Sequence, residues 1–245
     1  MNIYTKLVSK FIFPLHEKLK KHDTVRIRKD MEKSQWLSVE ELKILQLERL
    51  KTFLMDVEGH VPYYQRLFKR LQFNPENITS LDDLKQLPLT GKSLIREQTE
   101  QLKADDAIGL AKFNTGGSSG EPLVFFIGNK RVSHDVAAKW RATRWWDVDI
   151  GDTEAVIWGS PIELGGQDKL KLIRDKFLRT HLIPAFEMSP VKIDGFIQKI
   201  KALKPKMLFG YPSALAHIAT HAEKTGQILN DLDIKIAFVI SERLL

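Results

Sequence analysis

The sequence predicts an α/β protein with parallel strands, entered through a helical N-terminal segment. Three observations predict it. Met207-Leu208-Phe209 and Ile234 to Ile240 are short apolar runs of strand type, and a helical pattern lies between them. Strand, helix and strand at that spacing imply a right-handed parallel crossover. Upstream, Phe113 to Leu123 packs three glycines and three hydroxyls into six residues, with Leu123-Val124-Phe125-Phe126-Ile127 directly behind. Before that, residues 1–58 carry apolar side chains at helical spacing, which sets a boundary between a helical segment, 1–58, and the α/β part, 59–245.

The 245 residues suffice for one large domain or two small ones. At 43% hydrophobic and 28% charged, the composition is that of a globular protein. No apolar run is long enough for a membrane span, and no signal-peptide pattern opens the chain. The absence of cysteine removes disulfides and thiolate metal sites, which fits a cytoplasmic location. The net charge of +7 is spread along the chain with acids among the bases, and no nucleic-acid signature is present. No nucleic-acid partner is expected.

In chain order, Ile3, Leu7, Phe11, Leu15 and Leu19 recur every four residues beside several lysines, and Pro14 should break or kink the segment. Such a basic amphipathic stretch either lies on a membrane or packs on its own domain, and packing is expected. Ser38 with Glu41 forms a capping box for a helix carrying Ile44, Leu47, Leu50 and Leu54, ending near Gly59. Tyr63 and Tyr64 read as an apolar plug between helices. Thr79 or Ser80 opens a short helix with Leu81, Leu84 and Leu87, stopped by Pro88, and Thr90 is placed as the cap of another. Asn129 is expected to cap a helix with Val132, Val136, Trp140 and Thr143 on one face, and His134 with Asp135 to form a surface or capping pair. Asp147 to Asp152 lacks the twelfth-position Glu of a calcium loop and reads as a turn into the strand Ala155 to Trp158. Gly165-Gly166 suggests a mobile loop. Ser189-Pro190 starts a helix with Ile193, Phe196, Ile197, Ile200 and Leu203 inward, and Gly210-Tyr211-Pro212-Ser213 turns into one with Leu215, Ile218, Ala219 and Ala222.

The chemistry concentrates on Thr115-Gly116-Gly117-Ser118-Ser119-Gly120-Glu121. Glycines let a turn aim backbone N–H groups at one point, and hydroxyls suit phosphate oxygens. The spacing is not a Walker A loop, because the position five before Gly91-Lys92-Ser93 is Gln86. Gly116 to Gly120 has the letters of a nucleophile elbow, which would make Ser118 a hydrolase nucleophile with Asp175 and His217. An elbow needs a helix next, and Pro122 followed by a β-type run argues against it. His217 and His221 stand four apart, yet Ile218 occupies the place of a zincin Glu.

Several pieces in order resemble the adenylate-forming ligases, and among them the phenylacetate–coenzyme A ligase-like and CapK-type proteins. They are Val61-Pro62-Tyr63-Tyr64, Ile78 to Leu84 with Leu87-Pro88, the loop Thr115 to Pro122, the helix with Trp140 and Trp146, Gly210 to Ser213, and Ser241-Glu242. The resemblance spans residues 38–245. It implies the incomplete N-terminal large domain of such an enzyme, with ATP and Mg2+ as cofactors, a carboxylic acid as substrate and a thiol or other acceptor. It implies nucleotide binding by Thr115 to Glu121 with Ser241 and Glu242. Parallel strands would bring Gly210 to Ser213 and Ser241-Glu242 to the edge of Trp158-Gly159-Ser160. Trp158, Gly159, Tyr211, Pro212 and Ser213 would then wall an acid pocket, the alternative being that both aromatics are core. Leu123 stands where many relatives have Lys, and Gly116 where a loop hydroxyl is common. The Tyr-Gly-x-x-Glu-like segment, the ribose-binding Asp and the small lid of the family are not found. The chain therefore reads as truncated, with weak activity alone and a complementing downstream polypeptide as a candidate partner. A non-catalytic remnant or a peripheral membrane-binding module is the remaining alternative.

Overall fold

The computed structural model describes residues 2–115, 122–158, 169–240 and 242. They form two compact units, residues 1–20 with 138–245, and residues 21–137. The divisions fall after residues 20 and 137, the second within a helix.

In the first unit the sheet decides the architecture. Its strands are β3 (Glu154–Trp158), β4 (Thr180–Pro184), β5 (Met207–Gly210) and β6 (Ile236–Val239), ordered β4-β3-β5-β6 with every neighbour parallel. Alternation along β3 sends Ala155 and Ile157 into a fully buried face, where they meet Ile183 of β4. The layer over that face consists of helices α9 (Pro190–Leu203) and α10 (Pro212–Lys224). Ile193, Ile197 and Ile200 of α9, with Ala214, Ile218 and Ala222 of α10, complete this core. Each such isoleucine contributes about 1.5–3 kcal/mol by leaving water. Ala219, expected inward, is exposed, because the sheet lies on the 214–218–222 side of its helix.

Gly210 has a steric reason to be glycine. A Cβ there would lie 2.2 Å from the Ile157 carbonyl oxygen of the paired strand. β4 and the preceding helix α8 (Lys169–Leu178) had no counterpart in the sequence reading.

The N-terminal run overturns one expectation. Helix α1 (Ile3–Leu7), a π turn (Val8–Ile12) and helix α2 (Phe13–Leu19) follow without interruption. Pro14 does not end the helix, because it sits in the first turn of α2, where a missing N–H costs little. The Phe13 N–H instead reaches back to the Val8 carbonyl. Ile3, Leu7, Phe11, Leu15 and Leu19 face outward, contrary to the expected packing. The buried side is Thr5, Val8, Ser9, Phe13 and Glu17. Polar anchoring explains this choice. The Thr5 hydroxyl donates to Asp152 Oδ1 at 2.8 Å, and Phe13 meets Trp140 edge-on at 5.0 Å. Gly151, at φ +96°, lies so close that a Cβ would stand 2.7 Å from Val8 Cβ.

The second unit holds α3 (Thr24–Ser34), α4 (Val39–His60), α5 (Pro62–Leu71), two 3-10 turns (Pro75–Asn77, Leu81–Gln86), α6 (Lys92–Glu97) and a two-stranded hairpin, β1 (Ala111–Asn114) with β2 (Val124–Ile127). Ser38 and Glu41 close the expected capping box on α4. Tyr63 and Tyr64 pack edge-on at 5.1 Å in a cluster with Leu54, Phe68 and Phe73, as a plug should. Thr90 is not a cap, since Gly91 holds that position for α6. Helix α7 (Asn129–Arg144) starts one residue earlier than expected, with the Gly128 carbonyl accepting its first bonds. Asp135 pairs with Arg131, one helical turn back, and not with His134.

Candidate functional site

The candidate site is built from the carboxyl ends of parallel strands, the edge where such sheets bind ligands. Trp158 closes β3, Gly210 closes β5, and Ile240 follows β6 on the same edge. Tyr211 caps α10 and Pro212 occupies its first turn. The Trp158 and Tyr211 rings stack at 4.6 Å and 27°. Phe209 lies 6.1 Å from Trp158 and nearly parallel, and Phe238 continues the ladder 5.9 Å from Phe209. An aromatic surface thus crosses three strands on the face opposite the isoleucine core. Lys139 of α7 stands 4.1 Å over the Phe209 ring and pairs with Glu154 of β3.

At the same edge, Glu242 caps α10. Its carboxylate accepts from the Ser213 hydroxyl and from the Ser213 N–H, each at 2.9 Å. Pro212 has no N–H, so Ser213 supplies one of the unpaired donors of this first turn. These two bonds, the hydroxyl first, hold the Glu242 carboxyl below the usual glutamate range. Its share of stability is therefore present above the ordinary glutamate value and is lost as pH falls through the lowered one.

In the other unit the hairpin appears as expected, with Asn114 opposite Val124. Thr115 closes its mouth. Its N–H donates to the Leu123 carbonyl at 3.0 Å, and its Oγ accepts from the Leu123 N–H at 3.0 Å. Gly116, Gly117, Ser118, Ser119, Gly120 and Glu121 lie outside the described residues, as do Gly159, Gly165, Gly166 and Ser241. Strand β2 follows where a hydrolase elbow would need a helix. Asp175, the hydrolase partner considered, is bonded to Arg174 at 2.8 Å.

The histidine pair of α10 is divided. His221 Nε2 bonds Asp194 at 2.8 Å, and Gln227 donates to the same carboxylate oxygen at 2.7 Å. The cluster of three potential metal ligands among the described residues is instead His60 with Asp105 and Asp106. Asp149 and Asp152 are buried. Asp149 accepts from the Trp140 ring N–H, and Asp152 accepts from Thr5 and from the Asp149 N–H, so this acidic turn fastens the unit together. Sequence reasoning missed the Lys139–Glu154 pair under the aromatic ladder, because a helix-to-strand pairing across 15 positions has no local signature.

The chain is 25% identical over 209 residues to phenylacetate-coenzyme A ligase of Pseudomonas putida, covering 84% of this chain and 46% of that protein. It is 25% identical over 178 residues to protein CapK of Staphylococcus aureus, covering 72% and 39%. The chain is thus similar in sequence to adenylate-forming ligases. No family model matches it. An open conformation of 2-hydroxyisobutyryl-CoA ligase, in complex with 2-HIB-AMP and CoA, shares the fold with a TM-score of 0.58 at 22% identity, over 84% of this chain and 45% of that one. The α/β fold of the chain is thereby that of the adenylate-forming domain. The chain spans about half the length of the curated relatives it matches first.

Proposed function

We propose that this chain carries the nucleotide- and acid-binding groups of an enzyme that activates a carboxylic acid as its acyl-adenylate. The observation supporting this reading is the shared strand edge, where the Trp158–Tyr211 stack stands beside the Ser213–Glu242 contact in a fold of the matching family. In this reading Thr115, Ser118 and Ser119 offer hydroxyls and Gly116, Gly117 and Gly120 offer N–H groups to ATP phosphates, with Glu121 in the same loop. Trp158, Gly159, Tyr211, Pro212 and Ser213 wall the acid, and Ser241 with Glu242 lies towards adenine.

The reaction joins a substrate carboxylate oxygen to the α-phosphorus as the bond to pyrophosphate breaks. Fixed donors aimed at the phosphate oxygens offset the charge that builds there. The acyl group then passes to a thiol or another acceptor, and AMP leaves. Coenzyme A, bound by the solved relative, is the thiol to try first. Both oxygens of the described carboxylate at this edge, Glu242, are engaged by Ser213. A place in capsular or other cell-surface polysaccharide synthesis is drawn from the CapK-type likeness, and a cytoplasmic site from the lack of cysteine.

The test is carboxylate-dependent exchange of labelled pyrophosphate into ATP, across a panel of aliphatic and aromatic acids. Ser118→Ala is expected to lower exchange about 10–1000-fold, as loss of one charge-stabilising donor does. Tyr211→Ala should alter which acids are accepted. Exchange by wild type that neither substitution changes would remove these residues from their assigned roles. Exchange that appears only when a downstream polypeptide is added would identify a two-chain enzyme.

A further inference from the structure

We infer that the N-terminal helical run is a docking surface for a bilayer with anionic headgroups. The stripe Ile3, Leu7, Phe11, Leu15 and Leu19 is turned to solvent, with Ile3 88% and Leu19 77% exposed. The opposite side is fastened to its own unit through Thr5 and Phe13, so the stripe cannot roll inward without breaking those contacts.

The π turn is what makes it a stripe. A repeat of four overshoots the 3.6-residue α turn, so such residues drift around the helix. The wider turn at Val8–Ile12 takes up more residues and counters that drift. The five side chains therefore stay on one side over the length of the run.

Charge selects the occupant. Lys6, Lys10, Lys18 and Lys20 are all exposed along the same run. Its one acid, Glu17, is buried. An apolar stripe edged by lysines matches the boundary between acyl chains and anionic headgroups, and needs no shaped partner pocket. Helix α8 adds a second element to this surface. The Tyr4 hydroxyl donates to the Phe177 carbonyl at 2.8 Å, and Ile173, Lys176 and Phe177 are themselves exposed. Among the described residues no helix is long and apolar enough to cross a membrane, so the contact is peripheral.

The experiment is flotation of the 245-residue chain with vesicles of phosphatidylcholine alone and of equal parts phosphatidylcholine and phosphatidylglycerol. The chain is expected to float with the anionic vesicles only, and less so as salt rises. Lys6→Ala and Lys10→Ala should each weaken binding roughly fivefold. Phe11→Glu should weaken it at least about tenfold, while the melting temperature, read by circular dichroism, stays unchanged because the site is exposed. Equal flotation with both vesicle types, or no effect of Phe11→Glu, would overturn the inference. So would a dimer in gel filtration that Phe11→Glu dissolves in the absence of flotation, since a second copy would then own the stripe. Flotation reads no chemistry, so its outcome is independent of pyrophosphate exchange.

Discussion

Helix α9 and the N-terminal run look alike as sequence, both carrying apolar residues at helical spacing, yet they use that face in opposite ways. In α9 the stripe Ile193, Ile197 and Ile200 is sealed against the sheet. In the N-terminal run the stripe faces water, and a mixed side with Thr5, Ser9 and Glu17 is buried instead. Periodicity reports that a face exists. It does not say which way the face points. For the N-terminal run that choice falls to polar partners, above all the buried Asp152, whose Oδ1 accepts the Thr5 hydroxyl.

The largest effect should separate the two stripes directly. Ile197→Ala is expected to cost about 2–5 kcal/mol in chemical denaturation, and Leu15→Ala less than about 0.5 kcal/mol. Equal losses would mean that the N-terminal stripe is buried after all. Gly151→Ala probes the seat of the run, where the new methyl must displace Val8 and adopt a left-handed φ. A loss of about 1–3 kcal/mol is expected from denaturation midpoints, and a neutral result would show that the run is not seated on that turn. Thr5→Val keeps the shape but removes the donor to Asp152, for an expected cost of about 1–3 kcal/mol. If Thr5→Val has no effect, polar anchoring is not what orients the run.

The smallest effect concerns His16 on α2. Partial burial, then the nearby Lys20 charge, lowers its pKa against the opposing pull of Glu17. The unfolded chain therefore takes up this proton first. Stability should fall as pH drops below about 6.5, until the lowered native value is passed. His16→Gln should flatten that part of the stability profile, and an unchanged slope would assign it to other histidines.

The comparison also sorts what the sequence made legible. Capping and core-facing periodicity were readable at Ser38–Glu41, along α9 and at β5 and β6, because each rests on neighbours in the chain. The sharing of one edge by Trp158, Tyr211 and Glu242 followed from parallel topology alone. Strand β4 was not readable. It offers Leu182 and Ile183 between a histidine and Pro184, a pattern tolerated because β4 lies at the edge of the sheet. The outward turn of the N-terminal stripe was not readable either, since Thr5 and Asp152 meet across 147 positions.

Gly210 has a consequence for how this chain can drift in sequence. Every other amino acid would add the Cβ that collides with the Ile157 carbonyl, so a saturation library at 210 should return glycine almost alone. At position 3, with Ile3 88% exposed, the same library should accept nearly anything that folding alone can judge. The strand edge beside Tyr211 is thus held by a backbone that has no neighbouring sequence to move to, whatever acid the surrounding side chains come to prefer.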